Sequence, residues 1–303
     1  MNISGSTKLI AIFGDPIIQT LSPTIQNAAL EFRSLDCVYI PFHVKAENLE
    51  VAIRSIPALD MLGANITIPH KEEALKIILS LGGEVDKEAL EIGAVNTIVN
   101  KNGLLCGYNT DGEGYVRNLT SEVRFNIKDK KILLLGAGGA ARSMLYATLK
   151  REPHSVMIAN RTVEHAVTLK EDIGQYFNDP KILSSSIDDA ADFSKTADLV
   201  INSTSIGMMG MGGEAPPIDV SLLSENAVVS DIVYKPLMTP LLTQAKARNL
   251  KIHNGLGMLV HQGALGFELW TGEKAPIDTM HFATIQIITQ LDGKQKTTNG
   301  ESR

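Results

Sequence analysis

The chain has 303 residues, 44% of them hydrophobic and 20% charged, and its formal net charge is −6. This composition is typical of a soluble globular protein and excludes a mainly disordered chain. At roughly 150 residues per domain, the length predicts two domains or one large one. The acidic balance disfavours nucleic acid and anionic membranes as partners, and an aromatic content of 5% disfavours a base-stacking surface.

The two cysteines, Cys37 and Cys106, lie in apolar or glycine-containing segments without CxxC spacing. They predict reduced thiols and neither a disulfide framework nor a zinc site. No stretch approaches the roughly 18 consecutive apolar residues of a membrane span, and the first residues lack the basic and apolar regions of a signal peptide. We therefore expect a cytoplasmic protein with no metal, no nucleic-acid partner and no membrane partner.

The first third of the chain alternates β-rich runs with helical patterns. The predicted strands are 8–13, 38–44 and 63–68, and the predicted helices are 23–34, capped near Ser22, 48–56, and one that opens at Pro69 and carries Lys71. This alternation indicates βαβ units and a parallel sheet. Residues 94–99 and 103–107 then predict a hairpin, which is followed by the turn-rich Asn109-Thr110-Asp111-Gly112.

A second alternating block begins near Lys131. The predicted strands are 131–135, 155–159, 199–202 and 228–232. Helices are predicted from the glycine turn 136–141 to about residue 150, from about residue 163, and over 255–270 and 279–291. The aliphatic runs are typical of parallel strands covered on both faces. Residues 207–217 predict a mobile loop, and the polar end, 293–303, predicts a flexible tail.

A glycine-rich turn joins the first strand of this block to a helix. In Gly136-Ala137-Gly138-Gly139-Ala140-Ala141, the first glycine permits a tight turn and the second lets a pyrophosphate approach the backbone. The helix N-terminus would then offer free N–H groups to the anion. A purely structural glycine turn is the alternative, but the position between two hydrophobic strands favours a dinucleotide. No GKS/T follows the glycines, so the turn is not a P-loop.

The residues at the end of the next strand indicate whether the cofactor is NAD or NADP. An NAD site has a carboxylate about 20 residues after the glycines, where it binds the ribose 2′-OH. Here the strand ends in Asn160-Arg161-Thr162, and Arg161 can pair with the 2′-phosphate of NADP. The alternative is that Arg161 is a solvated loop residue. The carboxylate of the nearby Glu164 leaves NAD as an alternative cofactor.

Hydride transfer to or from an alcohol carbon also needs a group that exchanges the hydroxyl proton. Thr67 and Lys71 follow a predicted strand, at the edge where open α/β sheets bind ligands. Lys71 together with Asp111 would supply a proton donor and a carboxylate for a polyol. Each residue taken alone has a structural alternative. Lys71 would then be a solvated lysine at a helix start, and Asp111 a turn or N-cap residue.

A set of ordered motifs between residues 8 and 290 resembles the shikimate dehydrogenase family. In the first half they are Gly14-Asp15-Pro16-Ile17 with Ser22-Pro23 and Asn27, Asn65-Ile66-Thr67-Ile68-Pro69-His70-Lys71, Gly93-Ala94-Val95-Asn96-Thr97 and Asn109-Thr110-Asp111-Gly112. In the second half they are Gly136-Ala137-Gly138-Gly139-Ala140, Asn160-Arg161-Thr162, Asn202-Ser203-Thr204-Ser205-Ile206-Gly207-Met208, Asp231-Ile232-Val233-Tyr234, Gly255-Leu256-Gly257-Met258-Leu259-Val260-His261-Gln262 and Phe267-Glu268-Leu269-Trp270-Thr271-Gly272.

The resemblance implies an NADP-dependent, reversible reduction of 3-dehydroshikimate to shikimate in the shikimate pathway, which supplies chorismate and the aromatic amino acids. It implies a catalytic Lys71 assisted by Asp111. The implied substrate-binding residues are Thr20, Ser22, Thr67, Lys71, Asn96, Asp111, Tyr234 and Gln262. The implied cofactor-binding residues are Gly136, Ala137, Gly138, Gly139, Ala140, Asn160, Arg161, Thr162, His165, Ile232 and Gly255.

Two positions depart from the pattern of that family. Thr20 stands where a serine is usual and adds a methyl group beside the expected carboxylate site. His165 stands where a second basic residue is common, and a neutral imidazole binds phosphate less firmly than arginine. The alternatives are a quinate/shikimate dehydrogenase that uses NAD or NADP, a catalytically silent dinucleotide sensor, and a different small-molecule oxidoreductase with this two-domain plan.

The resemblance also implies a discontinuous α/β architecture. An open α/β substrate domain would cover residues 1–112 and be completed by the helices of 255–292. A Rossmann-type, doubly wound parallel-sheet domain over 113–254 would bind NADP, and we expect a monomer or a homodimer.

Overall fold

The computed structural model describes residues 3–178, 181–208, 215 and 217–300, with side chains as far as residue 289. The chain divides into two compact units. Unit 1 comprises Met1–Val85, Val95–Tyr108 and Gly263–Arg303, and unit 2 comprises Asp86–Ala94 and Asn109–Gln262. These units divide the chain at other places than the predicted functional domains, 1–112 with 255–292 and 113–254, whose boundaries stay a prediction.

The strands and helices alternate along most of the chain. The strands are β1 (Lys8–Gly14), β2 (Cys37–His43), β3 (Gly63–Ile66), β4 (Glu84–Val85), β5 (Thr97–Lys101), β6 (Leu104–Tyr108), β7 (Lys131–Leu135), β8 (Ser155–Asn160), β9 (Ile182–Ser186), β10 (Leu199–Asn202), β11 (Val228–Asp231) and β12 (Lys251–His253). The helices are α1 (Ser22–Phe32), α2 (Leu49–Ala58), α3 (Lys71–Ser80), α4 (Lys87–Ile92), α5 (Asp111–Val123), α6 (Gly139–Leu149), α7 (Val163–Gly174), α8 (Ala191–Ser194), α9 (Pro240–Ala247), α10 (Leu256–Thr271) and α11 (Ile277–Gly300).

Unit 1 is built on a mixed sheet with the strand order β2-β1-β3-β5-β6-β4. Strand β1 pairs in parallel with β2 and β3, as the βαβ alternation predicts. The predicted hairpin is confirmed as β5 and β6, and β5 also runs antiparallel to β3. The expected run of parallel strands therefore covers only β2, β1 and β3. It ends at β3 because the neighbouring hairpin strand β5 is antiparallel to it.

The C-terminal part of the chain packs into unit 1. The Trp270 indole Nε1 donates a hydrogen bond of 2.9 Å to the carbonyl oxygen of Ile98. Its ring lies 6.1 Å from that of Tyr39, centroid to centroid. Helix α11 packs against α1, so residues from the two ends of the chain meet in unit 1.

The sheet of unit 2 is parallel throughout its order β12-β11-β10-β7-β8-β9. The chain starts in the middle at β7, runs outward to β9, and then returns to β10 on the other side. Ile132 and Leu134 face one apolar cluster, whereas Leu133 and Leu135 face another. This is the doubly wound dinucleotide-binding arrangement, and the predicted Rossmann-type fold is confirmed.

Several local predictions need correction. Helix α3 begins at Lys71 with His70 as its N-cap, and Pro69, after a cis peptide bond, lies outside it. Ser22 is the first residue of α1 and not its cap. Asp111 also begins a helix, α5, that the turn-rich sequence did not indicate. The short elements β4, α4, β9 and β12 were not predicted, because two to six residues show no clear periodicity.

Two predicted segments fall partly outside the described residues. Within the predicted loop 207–217, residues 209–214 and 216 lie outside them, and so do the last three residues of the predicted tail, 301–303. Residues 293–300 continue helix α11, and flexibility of the tail stays a prediction. Among the described residues, no helix combines the length and the apolar character that a bilayer crossing requires.

Candidate functional site

In unit 1, candidate residues lie at the carboxyl ends of the parallel strands. Thr67 directly follows β3, and its backbone N–H donates a bond of 3.0 Å to the carbonyl oxygen of Phe13 in β1. Lys71 begins α3, and its carbonyl oxygen accepts a bond of 2.9 Å from the N–H of Val95. The backbone of the segment that carries Asn96 is thereby attached to the residue that begins α3.

The start of helix α1 carries the two candidates for binding a carboxylate. Thr20 is half-buried, and its Oγ1 accepts a bond of 3.3 Å from the N–H of Ser22, which is buried. The N-cap residue of α1, Leu21, makes no capping hydrogen bond with its side chain. Two hydroxyls therefore lie next to backbone donors at a positive helix end, a combination that suits an anion.

A buried chain of hydrogen bonds connects Ser22 with Asn96 inside unit 1. The hydroxyl of Tyr39 donates to Asn65 Oδ1 over 2.6 Å, and Asn65 Nδ2 donates to the Asn96 carbonyl oxygen at 3.0 Å and to Thr97 Oγ1 at 3.1 Å. Thr97 Oγ1 in turn donates to Asn96 Oδ1 over 2.9 Å. Burial raises the pKa of Tyr39 well above its usual value, against the opposing effect of a hydrogen bond with Ser22.

Sequence reasoning missed Tyr39 and Thr97 as members of this site. A tyrosine in an apolar strand is usually a core residue with a single polar partner. Its partners here, Ser22 and Asn65, are 17 and 26 residues away along the chain. No local pattern indicates such a connection, because it exists only once the strands have paired.

In unit 2, the glycine-rich turn has the shape that pyrophosphate binding requires. Gly136 has a φ of +105°, which glycine adopts readily and L side chains rarely do. Gly138 is the N-cap of α6 and offers no side-chain cap, and a Cβ placed there would meet nothing within 4 Å. Ala137 lies between them, and Gly139 and Ala140 form the first turn of α6. The backbone is therefore open where a dinucleotide would approach.

The residues after β8 form the second part of the candidate cofactor site. Asn160 ends β8 and its Nδ2 donates a bond of 2.8 Å to the carbonyl oxygen of Thr162, the N-cap of α7. The exposed Arg161 lies between them, and His165 and Glu164 lie exposed in the first turns of α7. A guanidinium, a hydroxyl and a helix N-terminus at the end of β8 fit a 2′-phosphate better than a free ribose hydroxyl.

A buried aspartate organises the segment that follows β11. Asp231 accepts hydrogen bonds from Asn202 Nδ2 at 3.0 Å, from the backbone N–H two residues further on at 3.0 Å, and from Thr239 Oγ1 at 2.7 Å. Burial raises the pKa of Asp231 in spite of these bonds. The same segment carries Ile232 and the half-buried Tyr234, whose pKa burial also raises, so the Tyr234 hydroxyl remains a donor.

Helices α5 and α10 carry the remaining candidates. Asp111, buried at the start of α5, donates its backbone N–H to Asn109 Oδ1 over 3.2 Å. Gly255 immediately precedes α10, and Gln262 lies, buried, in the middle of that helix. A Cβ at Gly114 of α5 would lie 2.6 Å from the backbone nitrogen of Gln262. The structure therefore brings Asp111 and Gln262 onto two helices in contact.

The candidates thus separate into two sets. Unit 1 holds Thr20, Ser22, Thr67, Lys71 and Asn96. Unit 2 holds Asp111, Tyr234, Gln262 and the whole set of cofactor candidates. The pairing of Lys71 with Asp111 joins members of different units and stays a prediction.

The parallel sheet of unit 2, with a glycine turn at its central strand, places the chain in the class of Rossmann-type dinucleotide-binding proteins. Family models for the shikimate dehydrogenase substrate binding domain, for shikimate / quinate 5-dehydrogenase and for the shikimate 5′-dehydrogenase C-terminal domain match residues 12–98, 118–209 and 255–281. A shikimate dehydrogenase (NADP(+)) of Geobacillus sp. (strain WCH70) is 44% identical over 94% of this chain and 99% of the relative. The chain belongs to the shikimate dehydrogenase family.

Solved structures agree with this assignment. A crystal structure of a shikimate dehydrogenase in complex with NADP+ has a TM-score of 0.87 and 41% identity, covering 95% of this chain and 98% of the other. The shikimate 5-dehydrogenase of Thermus thermophilus, in complex with NADP(H) and shikimate, has a TM-score of 0.81 and 33% identity, covering 92% and 99%. The similarity therefore extends over both units.

Proposed function

We propose that this chain catalyses the reversible, NADP-dependent reduction of 3-dehydroshikimate to shikimate in the shikimate pathway. The observation that carries the proposal is the family similarity over both units, with Lys71 and Asp111 both present. A dinucleotide-binding protein that had lost its chemistry would have no need of both residues.

The substrate would be held by the side chains that the family resemblance implies. Thr20 and Ser22 would donate hydrogen bonds to the carboxylate, since a hydroxyl donates without adding charge. The ring hydroxyls and the reacting carbonyl would be bound by Thr67, Asn96, Asp111, Tyr234 and Gln262. The buried connection from Ser22 to Asn96 through Tyr39 supports this division, because it fixes two of these groups relative to each other.

Lys71 is the proposed proton donor. NADPH, when bound, supplies the hydride for the carbonyl carbon. Lys71 Nζ would donate a proton to the carbonyl oxygen in the reduction and accept it from the alcohol in the oxidation. Asp111 would assist Lys71 and bind a substrate hydroxyl.

The cofactor-binding residues fit NADP. Residues 136–140 would bind the pyrophosphate through backbone N–H groups at the start of α6. Asn160, Arg161, Thr162 and His165 would surround the 2′-phosphate, with Arg161 as the charged partner. Ile232 and Gly255 would complete the site at the ends of β11 and β12. Arg161 favours NADP over NAD, with a preference moderated by His165.

A second candidate, a quinate/shikimate dehydrogenase, is favoured by one observation. Thr20 places a methyl group beside the proposed carboxylate site, where the two substrates differ: quinate has a hydroxyl on the carbon that bears the carboxylate, and its ring lacks the double bond that shikimate has at that carbon. A site distinguishes such analogues by a few polar contacts. Cytoplasmic location and a monomeric or homodimeric state stay predictions.

The direct test is product identification. Purified protein, incubated with 3-dehydroshikimate and NADPH, should form shikimate in a one-to-one ratio with the NADPH consumed, as measured by mass spectrometry and absorbance. A protein that binds NADPH but forms no shikimate would instead be a silent dinucleotide sensor.

A further inference from the structure

Asn109 makes three hydrogen bonds within unit 2, although it lies outside every helix and strand. Its Oδ1 accepts from the N–H of Asp111 at 3.2 Å and from Ser143 Oγ at 3.1 Å. Its Nδ2 donates to the carbonyl oxygen of Ala94 over 2.9 Å. One half-buried amide therefore connects three segments that are distant in sequence.

Ser143 belongs to the helix that begins at the glycine-rich turn. It is fully buried in α6, one turn after Gly139, and it places its hydroxyl toward Asn109. The same helix offers its N-terminus to the pyrophosphate in the proposed function. The bond from Ser143 to Asn109 thus runs from the cofactor helix to the residue that accepts the N–H of Asp111.

A second contact, at Gly112 immediately after Asp111, fixes α5 against α6. A Cβ at Gly112 would lie 2.4 Å from the carbonyl oxygen of Ser143 and 2.7 Å from Cβ of Ala147. Only a glycine permits this approach of the two backbones. Asp111 is therefore held against α6 by the residue that follows it and, through Asn109, by a side chain that precedes it.

We propose that Asn109 and Ser143 are positioning residues, which set the place of Asp111 relative to the cofactor helix. The proposal rests on the proposed function, in which Asp111 assists the reaction and α6 binds NADP. Neither side chain needs to touch substrate for this role. Their removal should misplace Asp111 and lower turnover while the cofactor site, built from the backbone of α6, remains intact.

The test is a double-mutant cycle with steady-state kinetics on shikimate and NADP. Asn109→Ala should lower kcat about 10- to 100-fold, because a misplacement of about 1 Å has that effect on a catalytic group. Ser143→Ala should lower kcat about three- to tenfold, since Asn109 keeps its bond to Asp111 and loses one neutral hydrogen bond. The KM for NADP should stay within about twofold in both variants.

The double variant Asn109→Ala/Ser143→Ala should be no slower than Asn109→Ala, because both changes remove the same connection. Asn109→Ser should recover turnover to the level of Ser143→Ala, since a serine hydroxyl also accepts the N–H two residues further on. Asn126→Ala is the matched control: Asn126 makes the same kind of turn bond, to Lys128 N at 3.1 Å, on the exposed surface of unit 2. It should keep wild-type kinetics.

Three results would overturn the inference: wild-type kcat in Asn109→Ala, a double-variant loss equal to the product of the single losses, or a rise in the KM for NADP as large as the fall in kcat. Each of these would leave the proposed function standing, because the wild type would still turn over. An inactive wild type would overturn the proposed function itself, and this inference with it.

Discussion

The two units present their candidate groups in different ways. In unit 1 they are side chains, such as Lys71, Ser22 and Asn96, and a buried hydrogen-bond chain through Tyr39 connects Ser22 with Asn96. In unit 2 much of the site is backbone: the turn at Gly136 and the uncapped start of α6. Substitutions that shorten these side chains should therefore impair the site of unit 1. Substitutions that add atoms next to the open backbone should impair the site of unit 2.

The largest effect should come from the proton donor of unit 1. Lys71→Ala should lower turnover about 10²- to 10⁴-fold, the usual contribution of a general acid, while the KM for shikimate stays nearly unchanged. Lys76→Ala is the control on the same helix, since Lys76 is exposed and pairs with Glu73 at 3.0 Å. Near-normal turnover of Lys71→Ala in a steady-state assay would remove Lys71 from the mechanism.

Unit 2 also has a buried polar cluster, and it should act on stability and not on chemistry. His253 is fully buried, with Nδ1 2.8 Å from Ser230 Oγ and Nε2 2.5 Å from the amide oxygen of Asn118. Burial lowers the pKa of His253 to about 4 from its usual 6.5. Glu122 Oε2 lies 3.9 Å from Nε2 and does not reverse this direction.

The pH dependence follows from that shift. The neutral imidazole is favoured in the folded state, so the unfolded chain binds the extra proton between about pH 6.5 and 4 and stability falls as the pH decreases through that window. The free energy of unfolding should decrease by about 2 kcal/mol between about pH 7 and pH 5 because of this group. Urea unfolding of wild type and of His253→Gln measures it: the variant should lack this decrease, and equal pH slopes would contradict the assignment.

Arg161 departs from the backbone character of the unit 2 site, because it is a charged side chain. Arg161→Ala should raise the KM for NADP about 10- to 100-fold, the effect of losing a hydrogen bond to a charged group. The KM for NAD should barely change, since NAD lacks the 2′-phosphate. Lys246→Ala, an exposed lysine on α9, is the control. An equal rise for both cofactors would show that Arg161 does not bind the 2′-phosphate.

The smallest expected effect tests the backbone site directly. A Cβ at Gly138 would contact nothing within 4 Å of the protein, so Gly138→Ala should fold normally. The added methyl group should nevertheless raise the Kd for NADP about tenfold, because the second glycine lets the backbone approach the pyrophosphate. Calorimetric titration measures the Kd. Gly5→Ala, equally open and distant in sequence from the motif, should bind NADP like wild type.

The sequence predicted the central strands of unit 2 best. The bounds of β7 and β10 were confirmed at both ends, because strands buried on both faces are continuous aliphatic runs. Strand β9, with the sequence ILSSS, is an edge strand with partly exposed side chains, and β12 has only three residues. Neither has a pattern that a single sequence can reveal.

The site was predicted residue by residue, but its connections were not. Motifs identified Ser22, Asn96 and Asp111 without indicating that Tyr39 connects the first two or that Asn109 attaches the third to α6. Apart from the bond between Asp111 and Asn109, those hydrogen bonds join residues 17 to 34 positions apart in the chain. They depend on strand order and helix packing, which no local spacing encodes.

The proposed reaction of this chain is the oxidation of shikimate with NADP, and its reverse. The most direct measurement is kcat/KM for shikimate and quinate, each with NADP and with NAD. We expect the highest value for shikimate with NADP, a lower value for shikimate with NAD, and the lowest values for quinate. A highest value for quinate with NAD, or no turnover in any of the four combinations, would contradict the account.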